Sequence, residues 1–115
     1  MSPEPTESLR LELRRGSLVL AVLAALRQEQ YGYTLRKLLE SHGLAIDEGT
    51  LYPLLRRLET QGLVASQWRE TDKRNKRFYQ LNERGHELLK QLLTEWQTLG
   101  NAVETILKET EPWNS

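Results

Sequence analysis

Four leucines, Leu51, Leu54, Leu55 and Leu58, fall at i, i+3, i+4 and i+7, the spacing of one buried helical stripe. Opposite them lie Thr50, Tyr52, Arg56, Arg57 and Thr60, a face of hydroxyls and guanidiniums. Gly62 stops the helix as a C′ residue. Its start is expected at Thr50 as N-cap, because Pro53 then lies in the first turn, whereas a start at Asp47 would cost a bond to Gly49. Upstream, Leu18 to Arg27 is apolar nearly all round and reads as the central core helix, with Ser17 as N-cap after a break at Gly16-Ser17. Leu9, Leu11 and Leu13 alternate with charges, as in a short helix or an extended arm.

Tyr31-Gly32-Tyr33 opens a further helix to about His42, with Tyr33 packing inward and Gly43 as the stop. Leu44-Ala45-Ile46 reads as a minor strand. After Gly62, Leu63 to Glu70 and Arg77 to Leu81 roughly alternate about a polar turn, Thr71 to Lys76, as a β-hairpin does. Asn82 then caps a last helix, Glu83 to about Glu109. Its Leu89, Leu92, Trp96, Leu99, Val103 and Ile106 keep coiled-coil a/d spacing. So long an apolar edge suits a two-fold dimer interface. The organisation is therefore mainly α with a small β-hairpin: a disordered lead over 1–8, a winged helix-turn-helix over 9–81, a dimerisation helix over 82–110 and a tail over 111–115.

Charge changes this picture only locally. Sixteen basic residues balance sixteen acidic ones, so a nucleic-acid surface must come from segregation of charge. Between Arg69 and Arg77 five basic residues (Arg69, Lys73, Arg74, Lys76, Arg77) face two acidic ones (Glu70, Asp72), a local charge of +3. The absence of cysteine excludes disulfides and thiolate metal sites and favours a reducing compartment. Met1 to Glu7 does not resemble a signal peptide, and the apolar run Leu18 to Leu26 is too short to span a bilayer, so a cytoplasmic location is expected. His42 and His86 have no ligand spacing, and no phosphate loop or nucleophile motif is present, so neither enzyme, metal nor cofactor is expected.

The motifs resemble a known family. YGY at Tyr31 to Tyr33, DEGTLYPLLRRLETQGL at Asp47 to Leu63, KRFYQL at the end of the hairpin and NERGHELL at Asn82 to Leu89 together resemble the PadR family of bacterial transcriptional regulators. The likeness spans Arg15 to the last helix, and the single C-terminal helix is similar to the short-tailed type. It implies a homodimeric repressor whose helix Thr50 to Gln61 enters the major groove of an operator, whose wing touches minor groove or phosphates, and whose C-terminal helix dimerises. It also implies a small aromatic effector near the dimer interface.

Candidate residues carry two readings each. Arg56 and Arg57 either form a solvated face paired with Glu59 or Glu48, or contact phosphates, since bases are met mostly at a recognition helix's N-terminal end. Thr50 and Tyr52 are placed for phosphate or base contact, with capping as the other use of Thr50. Tyr31 either packs or sets its hydroxyl on a phosphate, and Lys37 lies one turn beyond Tyr33. Lys73, Arg74, Lys76 and Arg77 on a wing are expected to contact DNA. Trp96 occupies an a position poorly suited to a plain coiled coil; it is either an interface residue or, with its symmetry copy, a stacking platform for a planar effector. Trp68 reads as wing or core packing and Trp113 as part of the tail. The competing function is a winged helix turned to protein partners, with little DNA binding.

Overall fold

The structure is a computed structural model that describes residues 4–112. Its elements are α1 (Pro5–Ala25), β1 (Gln30–Tyr31), α2 (Gly32–Ser41), α3 (Glu48–Thr60), β2 (Val64–Thr71), β3 (Arg74–Leu81) and α4 (Glu83–Glu109). The strands form one antiparallel sheet in the order β1-β3-β2. Val22, Leu23 and Leu26 from the end of α1 meet Leu35 and Leu39 of α2, the stripe Leu51, Leu54, Leu55 and Leu58 of α3, and Val64, Tyr79 and Leu81 of the sheet.

α1 departs from the expected break. Pro5 stands in its first turn, where a missing N–H costs nothing, and the helix runs unbroken through Gly16 and Ser17. The Ser17 hydroxyl donates to the Leu13 carbonyl at 3.2 Å, as a mid-helix serine does, instead of capping a new helix. Arg14 Nη2 donates to the Ala45 carbonyl at 2.9 Å and ties this half of α1 to the loop before α3. Residues 5–8 are thus helical, not a disordered lead; residues 1–3 and 113–115, with Trp113, lie outside the described residues.

The minor strand also moves. Leu44 donates its N–H to the Leu39 carbonyl at 2.8 Å and Gly43, at φ +75°, donates to Glu40 at 3.0 Å, a Schellman end that spends the donor a strand would need. The third strand is Gln30–Tyr31 instead, paired with Tyr79 and Phe78. Gly62, at φ +77°, closes α3 the same way: its N–H donates to Glu59 and that of Leu63 to Leu58, both at 3.0 Å.

α3 begins earlier than expected. Asp47, not Thr50, is the N-cap, its Oδ1 accepting from the Thr50 N–H at 2.7 Å. Pro53 therefore lies inside the helix and deprives the Gly49 carbonyl of a donor, which is tolerable because Gly49 is exposed to water. Hydrogen bonding from Thr50 holds the Asp47 carboxyl below its usual range.

The hairpin is longer and its turn tighter than the polar run suggests. Pairing continues from Val64↔Leu81 to Thr71↔Arg74, leaving Asp72 and Lys73 as a two-residue turn at φ 52° and 65°. Positive φ at both positions matches the right-handed strand twist. α4 docks on this sheet at its first turn: Asn82 Oδ1 accepts from the Gly85 N–H at 2.9 Å, and Asn82 Nδ2 donates to the Gly62 carbonyl at 2.8 Å. Gly85 lies so close that a Cβ there would overlap the Leu63 carbonyl. Leu89 is 3% exposed within this core, which removes it from the expected dimer row, and Leu92 is half-buried beside it.

Candidate nucleic-acid interface

α2 and α3 form the helix-turn-helix, with α3 outermost and its leucines inward. Thr50, Arg56 and Arg57 stand exposed on its outer face. The two carboxylates that would make Arg56 and Arg57 a merely solvated ionic face are engaged elsewhere. Glu48 accepts from Arg36 at 2.8 Å, and Glu59 accepts from Arg77 at 2.7 Å. That leaves the Arg56 and Arg57 guanidiniums exposed, with neither of these carboxylates paired to them.

Tyr52 is not on this face. Its ring is half-buried against the start of α2, where a Cβ at Gly32 would overlap the hydroxyl. Position 52 borders the leucine stripe, and Gly32 removes the side chain that would exclude an aromatic there. Tyr33, expected inward, is 59% exposed, with Lys37 Nζ 5.6 Å from its ring centroid. The inward place is taken by Leu35. Tyr31 is half-buried before the first turn of α2: its N–H donates to Thr34 Oγ1 and its carbonyl accepts from that hydroxyl, both at 3.0 Å. Its ring meets Phe78 edge-on at 5.2 Å. Lys76 Nζ lies 4.5 Å over the Tyr31 ring and 3.5 Å from its hydroxyl, so a phenol, an ammonium and a helix N-terminus converge there.

The wing cations divide into two groups. Lys73 and Arg74 are exposed at the tip, with Lys76 two residues behind on Tyr31. Arg77 is turned to the body: besides Glu59 it donates from Nε to Ser66 Oγ at 3.0 Å, and its guanidinium lies 5.7 Å from Trp68 and 5.6 Å from Tyr79. Burial pushes the Tyr79 phenol above its usual range. On the other sheet face Arg69 pairs with Glu29 and stacks 4.0 Å over Phe78. Trp68, read as packing, is 63% exposed. The sequence pattern pointed to neither Glu29 nor Ser66, and it set Glu59 against Arg56 or Arg57, whereas the structure gives Glu59 to Arg77 and Ser66.

A groove of about 1000 Å³ separates α1 from α4, lined by Leu13, Gly16, Val19 and Leu20 on one side and Leu92, Trp96, Leu99 and Val103 on the other. Trp96 is 58% exposed in its wall. The contribution of α1 was legible only by reading Leu13, Gly16 and Leu20 as one helical stripe, which the expected break hid. Among the described residues no group of three or more His, Cys, Asp or Glu is placed to hold a metal, and no helix is long and apolar enough to cross a membrane.

Comparison with known proteins agrees with this geometry. Residues 19–91 match the family described as "Transcriptional regulator PadR-like family". Transcriptional regulator Rv3488 of Mycobacterium tuberculosis is 38% identical over 79 residues, covering 68% of this chain and 74% of that protein. A PadR family transcriptional regulator from Eggerthella lenta is 43% identical, with a TM-score of 0.83 over 89% of this chain and 91% of that one. A PadR-like transcription factor from Bacteroides fragilis is 29% identical, with a TM-score of 0.74 over 86% and 98% of the two chains. With the α2–α3 helix-turn-helix and the β2–β3 wing, these findings make the chain a member of the PadR-like family, a DNA-binding transcriptional regulator of winged helix-turn-helix fold and not an enzyme.

Proposed function

We propose that the chain acts as a homodimeric repressor that leaves its operator when a flat aromatic effector enters the groove between α1 and α4. The observation that carries this reading is the unpartnered apolar row of α4: Trp96, Leu99, Val103, Ile106 and Leu107 are each more than half exposed in the protomer. A second copy would cover that row about a two-fold axis. Two α3 helices would then meet successive major grooves, about 34 Å apart, at their Thr50 ends, with Arg56 and Arg57 on phosphates. Tyr31, Lys37, Lys76 and the tip residues Lys73 and Arg74 would grip the flanking backbone. An effector stacked on Trp96 would favour a different spacing of the heads and so shift the population away from the DNA-bound form. Glu95 and Glu104 line the groove and no Lys or Arg does, which favours a neutral or cationic planar compound over an anionic one.

Fluorescence anisotropy across a salt series tests DNA binding by the wing, using a duplex that the wild-type protein selects from a random library. Each lost phosphate contact flattens the log–log salt slope by about 0.9, so Lys73→Ala with Arg74→Ala in both protomers should flatten it by up to about 4. An unchanged slope refutes the wing assignment. Trp96→Ala should abolish release by planar aromatic cations while leaving DNA binding intact; release that persists refutes the effector site.

A further inference from the structure

We propose that Glu59 is a positioning residue for DNA recognition: with Ser66 and Arg77 it forms a clasp that sets the angle of the wing to the recognition helix. This rests on the DNA-binding reading above. The three side chains come from three elements and close a ring. Arg77 of β3 donates from Nη2 to Glu59 Oε1 at 2.7 Å and from Nε to Ser66 Oγ at 3.0 Å, and Ser66 of β2 donates to Glu59 Oε2 at 2.5 Å. Both oxygens of the carboxylate are engaged, and the ion-paired side chains are only 30% and 34% exposed.

The position of the ring in the hairpin gives it leverage. The hairpin is anchored at its base by Val64, Tyr79 and Leu81, all buried. The clasp grips it at Ser66 and Arg77, and three further residue pairs, Arg69↔Lys76, Glu70↔Asn75 and Thr71↔Arg74, project beyond it to the tip. On the opposite sheet face Arg69 is held by Glu29. Side chains alternate between faces along a strand, so the hairpin is braced from both sides. Reading an operator with α3 while the tip grips phosphates requires a fixed angle between the two, because placement within a fraction of an ångström decides whether both sets of contacts form together. An acidic residue at the edge of a DNA-binding face otherwise works against affinity through repulsion of phosphates.

That opposition makes the test decisive. Glu59→Gln keeps the size of the side chain, removes the negative charge, and so replaces the ion pair to Arg77 by a neutral hydrogen bond and turns the acceptor facing Ser66 into a donor. Plain electrostatics predicts tighter binding to every duplex. The clasp predicts that the library-selected duplex is bound at least tenfold more weakly, while a scrambled duplex of the same length is bound equally or up to a few-fold more tightly. Arg77→Lys should lower the ratio of selected to scrambled affinity as well, since an ammonium does not reproduce the guanidinium's two-pronged grip on Glu59 and Ser66. Ser66→Ala, which leaves the ion pair, should give a smaller loss in the same direction. Amide hydrogen exchange on the DNA-free protein gives a second readout: in Glu59→Gln the paired amides between Ser66 and Arg77 should exchange about tenfold faster, with α1 and α4 unchanged. Wild-type affinity for the selected duplex in Glu59→Gln, or unchanged exchange in the hairpin, overturns the proposal. If the wild-type protein selects no duplex, the DNA-binding reading fails, and the exchange comparison still decides whether the clasp holds the wing.

Discussion

Asn82 joins the reading head to α4, and its loss can be dissected. Its Oδ1 accepts from the Gly85 N–H at 2.9 Å, which caps α4, and its Nδ2 donates to the Gly62 carbonyl at 2.8 Å, which fastens that cap to the end of α3. Losing the cap costs about 1 kcal/mol, within a range of about 0.5–2. Losing the bond to Gly62 costs about another 1 kcal/mol, more if that carbonyl finds no water. Asn82→Ala removes both and should cost about 2 kcal/mol, whereas Asn82→Ser keeps a capping oxygen and should cost about 1. The assay is urea unfolding followed by helical circular dichroism, at one fixed protein concentration because association stabilises the folded form. Equal losses in the two variants would show that the cap contributes nothing. A loss below about 0.5 kcal/mol in Asn82→Ala would refute the account of the joint as a whole.

Two further outcomes follow from packing. Gly85→Ala should destabilise by about 1–3 kcal/mol in the same assay, because the new Cβ overlaps the Leu63 carbonyl, which is backbone and has little room to move; a neutral result would show that α4 can shift on the sheet. Leu99→Asp should convert the proposed dimer to a monomer in sedimentation analysis with helicity retained, since Leu99 is 65% exposed in the protomer and lies on the apolar row; an unchanged sedimentation coefficient refutes that row as the dimer face.

Much of the candidate surface was legible because the relevant patterns are local. Arg56 and Arg57 are displayed on the face opposite the leucine stripe, and the tip cations project from a hairpin. Neighbouring elements reassigned the rest. Tyr52 was assigned to the outer face, yet its position flanks the leucine stripe and Gly32 on another helix leaves room for its ring. Leu89 keeps the a/d spacing of the dimer row, yet it belongs to the protomer's own core because α4 starts beside the sheet. Arg77 belongs to a basic run in sequence, while its carboxylate partner lies 18 residues away.

The sequence alone determined the helices, the hairpin and the C-terminal extension, because burying an apolar stripe, capping a helix and reversing a strand depend on residues within a few positions of one another. It misplaced the starts of α1 and α3: α1 runs through Gly16 and Ser17 without a break, and Asp47 caps α3 upstream of Pro53, whose lost bond falls on the exposed Gly49 carbonyl. Only the tertiary structure decided which charges are displayed and which are spent. Ion pairs join elements distant in sequence, and the register of β2 on β3 brings Ser66 and Arg77 to Glu59 while leaving Lys73 and Arg74 at the tip.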